Sequence, residues 1–182
     1  MTSLIHVNGP PGIGKSTLSA LYAERHPGVL NLDIDSLHRL VGGWQDVDNH
    51  THEVLRPVAL AMASAHLGEG RDVILPQYLA RVDEIQAFEK VAHEQGADFR
   101  EVILFDEKTE SIARFDRRRN DSEWDRHNRE VVALLGGSVM LAAMYDQLLA
   151  IMQMRPSAMV VRSEYDSVDD TYASLIRVLT RS

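Results

Sequence analysis

Cysteine is absent from the 182 residues, which excludes disulfides, thiolate metal sites and a cysteine nucleophile. An excess of positive charge is lacking too: 19 lysines and arginines stand against 27 aspartates and glutamates, a formal net charge of −8. A bulk nucleic-acid binder carries a basic face, so nucleic acid is not an expected partner, although a local arginine cluster can still hold a small anion. No apolar run suits a bilayer. The longest candidate, Val131 to Met154, is broken by Gly136-Gly137-Ser138 into pieces shorter than the roughly 20 residues a span needs. Buried or partner-covering helices are expected there, and no membrane. The histidines show no metal-ligand spacing; His50 and His52 are the nearest pair and read as loop residues. The lead into the first apolar segment is too short for a secretory signal, and the expected location is cytoplasmic. Internal repeats and low-complexity tracts are missing as well.

What is present is an ordinary globular composition, 45% hydrophobic and 25% charged, at a length that suits one domain over residues 1–182. Short apolar runs at 4–7, 29–32, 72–75, 102–105 and 158–161 read as strands. Amphipathic stretches separate them, with Tyr172, Leu175, Ile176 and Leu179 the clearest helical face. Continuous apolar strands alternating with helices predict a parallel sheet covered on both sides, a three-layer α/β fold. Pro57 is expected to start or kink the helix around it.

Between the first strand and the first helix lies Gly9-Pro10-Pro11-Gly12-Ile13-Gly14-Lys15-Ser16-Thr17. It satisfies G-x-x-x-x-G-K-[ST], the phosphate-binding P-loop, and its strand–loop–helix setting fits. Curling glycines let successive N–H groups face phosphate oxygens at a helix N-terminus. Lys15 is the expected contact to the β- and γ-phosphates and Ser16 the expected magnesium ligand, so ATP and Mg²⁺ are the expected cofactors.

The second strand leads into Leu32-Asp33-Ile34-Asp35-Ser36. If the strand continues that far, Asp33 and Asp35 share one face beside the P-loop. Phosphoryl transfer to an alcohol needs a metal and a carboxylate on the attacking hydroxyl. Asp33 is accordingly assigned to the magnesium shell through water and Asp35 to the acceptor as general base; capping of the next helix is the competing role. Trp44, Arg56, Gln77 and Arg81 are the acceptor-side candidates, Arg56 as a grip on an anionic group. Arg114, Arg117 and Arg118 recur at helical spacing. Arginine suits phosphate contact because its fork is planar and always charged. The methionine-bearing stretch 140–154 reads first as core or a homodimer contact, with a flexible wall for an apolar acceptor as the alternative.

The P-loop, the aspartate pair and the arginine-rich segment in this order resemble the small-molecule kinases of the P-loop class: shikimate, gluconate and nucleoside monophosphate kinases and chloramphenicol phosphotransferase. Leu32-Asp33-Ile34-Asp35-Ser36-Leu37 is similar to the segment bearing the catalytic aspartate of the last, which falls on Asp35. Val73-Ile74-Leu75-Pro76 with Trp124 resembles tunicamycin-resistance proteins. The resemblance implies a five-stranded sheet in the order 2-3-1-4-5 and an arginine-bearing lid over about 114–130. In that lid Arg118 or Arg119 meets the transferring phosphoryl, Arg126 and Arg129 are further candidates, and Arg114 or Arg118 stacks on the base. The third strand ends Leu75-Pro76-Gln77 without the acid many relatives carry, which puts the metal on Ser16 and Asp33. The expected activity is transfer of the γ-phosphate to a hydroxyl of a small molecule such as an antibiotic or natural product. A nucleoside monophosphate kinase and a non-catalytic nucleotide-binding switch are the alternatives.

Overall fold

Strand β1 (Ser3–Asn8) is buried at every position, which only the middle of a covered parallel sheet allows. The computed structural model describes residues 2–117 and 122–180. In it β1 pairs with β3 (Val73–Leu75) on one side and β4 (Asp98–Phe105) on the other. The short β2 (Leu30–Asn31) lies beyond β3 and β5 (Met159–Arg162) beyond β4. Every pairing is parallel, and the order is β2-β3-β1-β4-β5, as expected.

The pleat divides the apolar residues into two cores. Leu4, Val73 and Leu75 face α3 (Thr51–Gly68) and α4 (Val82–Glu94), packing on Leu55, Ala59, Ile85 and Phe88. Ile5, Val7, Ile74, Val102 and Leu104 face α1 (Lys15–Arg25) and α8 (Val168–Thr180), packing on Leu18, Tyr22, Leu175 and Leu179. These are the three predicted layers.

Two expectations change. The second strand ends at Asn31, so Asp33 and Asp35 do not alternate on a strand: Asp33 is the N-cap of the one-turn helix α2 (Ile34–Leu37), and Asp35 lies in its first turn. Cap chemistry prevailed over strand extension because the Asp33 carboxylate accepts a hydrogen bond from the Asp35 N–H at 3.1 Å. Pro57 does not start α3; the helix runs from Thr51 to Gly68 with the proline inside. Proline costs a helix interior about 3 kcal/mol, which burial of Leu55, Ala59, Ala63 and Leu67 on the sheet side outweighs.

The remaining helices, α5 (Lys108–Arg117), α6 (Glu123–Leu134) and α7 (Ser138–Met154), meet in a small third core of Phe115, Val132 and Leu141. A reciprocal capping box between Ser122 and Asp125 fixes the start of α6. The Gly136-Gly137 break turns α6 and α7 by 95°. Among the described residues no single helix is long and apolar enough to cross a membrane.

Candidate active site

The loop between β1 and α1 curls over the carboxyl end of the sheet, and at two of its glycines nothing larger fits. At Gly12, φ is +82° and a Cβ would stand 2.9 Å from the backbone of Phe115; at Gly9 it would stand 2.8 Å from the Leu104 carbonyl oxygen. We expect Gly12→Ala to cost about 2 kcal/mol in strain and displaced packing. Thermal denaturation should show this as a Tm about 4–8 °C lower, together with weaker nucleotide binding.

Lys15 folds back over the loop, its Nζ donating to the carbonyls of Gly9 and Pro10 at 2.9 and 3.0 Å. The N-cap of α1 is Gly14, which offers no side-chain acceptor, so the helix N-terminus adjoins the loop without a capping side chain. Such a terminus suits phosphate oxygens. Three buried groups hold the loop in place. Asn8 Oδ1 accepts from the N–H groups of Gly9 and Leu79 while its Nδ2 donates to the Leu79 carbonyl, tying the loop to the chain leaving β3. Ser163, after β5, donates from its hydroxyl to the Ile13 carbonyl at 3.0 Å. Arg114 in turn donates to the Ser163 carbonyl at 2.7 Å and pairs with Asp106 at 2.8 Å.

A cleft of about 730 Å³ opens beside the loop. Gly12, Gly14, Lys15, Ser16 and Thr17 form one end, and Asp35 lies on its wall with them. Gln77, Arg81, Glu84, Arg56 and His52 line it as well, and α6 and α7 supply a further part of its wall. On α6, Trp124, Asn128, Val131, Val132 and Leu135 line the cleft, a spacing of one helical face. Met140, Met144 and Gln147 continue it on α7. The Tyr78 hydroxyl donates to the Met144 carbonyl at 2.9 Å and so fastens this wall to the β3 exit. Burial, reinforced by Glu84, raises the Tyr78 pKa, so the hydroxyl stays protonated.

Several predicted residues are placed differently. Trp44 is outside the cleft lining, with its ring centroid 6.0 Å from that of Trp124, which does line it, and 5.2 Å from that of His127. Arg56 lines the cleft but is bound to Glu84 at 2.8 Å, and Arg81 is forked onto Asp83 at 2.6 Å. Arg114 is only 5% exposed and serves the loop from below, so its guanidinium is not presented as a stacking face for a base. Arg117 instead caps the Tyr165 ring at 4.4 Å. Arg126 and Arg129 lie off the α6 face that lines the cleft, and Arg129 donates to the Asp116 carbonyl at 3.3 Å. Arg118 and Arg119 lie outside the described residues. Asp33 is not a cleft-lining residue; one of its oxygens caps α2. The methionines divide: Met140 and Met144 are at once cleft wall and packing for the third core, while Met154 is exposed.

Unforeseen in the sequence is an aromatic–histidine cluster that reaches the cleft through His52 and Trp124. His38 stacks on Trp124 at 4.3 Å, and its ring nitrogens lie 2.7 Å from Thr51 Oγ1 and 3.2 Å from His52 Nδ1. Burial, with repulsion from His52 and His127, lowers the His38 pKa to about 4, and burial of His6 does the same there. An unfolded histidine takes up its proton near 6.5. Between about pH 6.5 and 4 the unfolded chain therefore binds more protons, and stability falls as pH drops through that window. We expect a loss from these two rings on the order of 2 kcal/mol each at pH 5 relative to pH 7. A His38 ring resonance titrating near 6.5 in the folded protein would contradict this.

A parallel 2-3-1-4-5 sheet with a P-loop after its central strand defines a P-loop nucleotide-binding protein of the kinase-like type. The AAA domain family profile matches residues 4–135, and the chain belongs to that family. No curated protein matches the sequence. Among solved structures it is similar to a gluconokinase from Sinorhizobium meliloti 1021, with TM-score 0.62, 17% identity, and 99% of this chain and 94% of that one covered. It is also similar to the Deinococcus radiodurans tunicamycin resistance protein, with TM-score 0.63, 14% identity, and 98% and 96% covered. A third is the deoxyadenosine kinase from M. mycoides, with TM-score 0.54, 13% identity, and 98% and 100% covered. At these identities the likeness is one of fold.

Proposed function

We propose that the protein is an ATP- and Mg²⁺-dependent phosphotransferase that moves the γ-phosphate to a hydroxyl of a small molecule. One observation carries this reading: the P-loop residues Lys15 and Ser16 and the carboxylate-bearing Asp35 line the same cleft. Binding alone asks for no acid on the acceptor side of a triphosphate.

The loop suits a triphosphate because Gly9 and Gly12, with positive φ and pressed against Leu104 and Phe115 where a Cβ would not fit, let the backbone curl as phosphate-binding loops do, and Ser16 offers an oxygen of the kind magnesium takes. Bound there, MgATP supplies the phosphoryl group and the charge neutralisation that transfer needs. The N–H groups of residues 12–16 would hold the β-phosphate, and Lys15 would swing from the loop carbonyls to span the β- and γ-phosphates. Asp33, with one oxygen on the α2 cap, would act on the metal through its water shell. Asp35 would orient the acceptor hydroxyl and take its proton as the hydroxyl oxygen bonds to phosphorus. The bond from phosphorus to the bridging oxygen breaks, and its electron pair leaves on ADP. Arg118 and Arg119 are the proposed arginines for the charge in flight.

A phosphate acceptor, as in a nucleoside monophosphate kinase, is less well served, because Arg56 is paired with Glu84 and Arg81 with Asp83. The test is transfer of label from γ-labelled ATP to hydroxyl compounds, with Lys15→Ala as control. Labelled acceptor that disappears in the variant supports the reading. Tight ATP binding with label released only as inorganic phosphate, whatever acceptor is offered, would point to a non-catalytic switch.

A further inference from the structure

We propose that the acceptor is an uncharged, amphipathic alcohol, with a hydroxyl-bearing head at Asp35 and an apolar body lying along α6 and α7. This rests on the kinase reading above and names its substrate class. The transfer step is the one given there: the head hydroxyl gains the phosphoryl group of ATP, its proton passes to Asp35, and ADP leaves.

Charge is the first ground. The arginines on the acceptor side are already committed, Arg56 to Glu84 at 2.8 Å and Arg81 to Asp83 at 2.6 Å with Glu84 also 3.8 Å away. A carboxylate or phosphate head would have to break these pairs while lying beside Asp35 and Glu84, both on the cleft wall. An uncharged head meets no such opposition. Two neutral polar groups are suited to it: Trp124 Nε1, a donor, and Gln77 Oε1, an acceptor. Both are buried and without a hydrogen-bond partner among the described residues, on side chains that line the cleft. Hydroxyls can satisfy one of each kind.

The apolar wall is the second ground. Val131, Val132, Leu135, Met140 and Met144 line the same cleft as Asp35, and methionine conforms to varied apolar shapes. The wall does not stop at the cleft mouth. Leu135 lines the cleft yet is 63% exposed, and beside it Leu134 and Val139 are 81% and 75% exposed. A run of exposed apolar side chains continuous with a binding cleft is the arrangement an apolar tail would cover.

The experiment uses the full chain, γ-labelled ATP and a homologous series of alkyl glucosides from butyl to decyl, kept below their micellar concentrations. Alkyl glucuronides of equal chain length supply the same body with a carboxylate. For the glucosides kcat/KM is expected to rise about threefold per added CH₂ over several members and to exceed that of the matched glucuronide at least tenfold. Leu135→Glu, at a largely exposed position that tolerates the change, is expected to flatten the chain-length dependence. Glu84→Gln, which releases Arg56, should raise the glucuronide rate about tenfold. Labelled glucuronide or gluconate in preference to glucoside, or rates independent of chain length, would overturn the substrate class while leaving the kinase reading intact. Failure of every hydroxyl compound to take label, with ATP still bound, would overturn both.

Discussion

Asp35→Asn is expected to lower phosphoryl transfer by about 10²–10⁴-fold, the range a positioned general base contributes, with ATP affinity nearly unchanged. The reason lies in how the residue is held. The Asp35 N–H is bound to the Asp33 carboxylate at 3.1 Å, which fixes the first turn of α2 and with it the direction of the Asp35 side chain into the cleft that Lys15 and Ser16 share. Asparagine keeps the shape and the cap bond but cannot take a proton. The loss should therefore fall on kcat, because an interaction used mainly in the transition state has gone. Glutamate, one methylene longer, should restore little of it. A variant whose kcat stays within a factor of two of the wild type would remove Asp35 from the base role.

Arg114→Met should have the largest effect on stability. Arg114 and Asp106 are 5% and 6% exposed and 2.8 Å apart, and truncating one partner leaves the other carboxylate buried and uncompensated. Such breaks cost about 3–5 kcal/mol, or a Tm lower by about 6–20 °C in a chain of this length. The damage should extend to nucleotide binding, since Arg114 also holds Ser163, whose hydroxyl holds the Ile13 carbonyl inside the P-loop. Asp106→Asn added to Arg114→Met should recover part of the loss by removing the stranded charge. If the single variant melts within 2 °C of the wild type, Arg114 is not the support this geometry implies.

These two residues also mark how far the sequence could be read. The P-loop was legible because its chemistry is contiguous: glycines, lysine and serine act at fixed offsets on one strand–loop–helix unit. Alternating apolar strands and amphipathic helices carried the layers, and the sheet order came with the resemblance. The local geometry of Asp35, now seen in the first turn of α2 and on the cleft wall, was not legible, because the Asp-x-Asp-Ser run supports both a strand end and a helix cap, and the cap won. Arg114 was misplaced for a different reason. Helical spacing groups it with Arg117 and Arg118, but what it does is decided by Asp106 and Ser163, brought from two strand ends by the sheet. The His38–Trp124 stack joins residues 86 positions apart with no local pattern to announce it. The pairing of Arg56 with Glu84 across α3 and α4 likewise turned an apparent anion grip into a neutral pair.

The most direct measurement is a crystal structure with magnesium and a non-hydrolysable ATP analogue. Hydrogen-bond reach to an acceptor oxygen and a near-attack approach of that oxygen to phosphorus together put an Asp35 carboxylate oxygen within about 6 Å of the γ-phosphorus, with Lys15 on the β- and γ-phosphates. An Asp35 carboxylate more than about 10 Å from that phosphorus, or turned out of the cleft while the loop is filled, would contradict the assignment of this site to phosphoryl transfer.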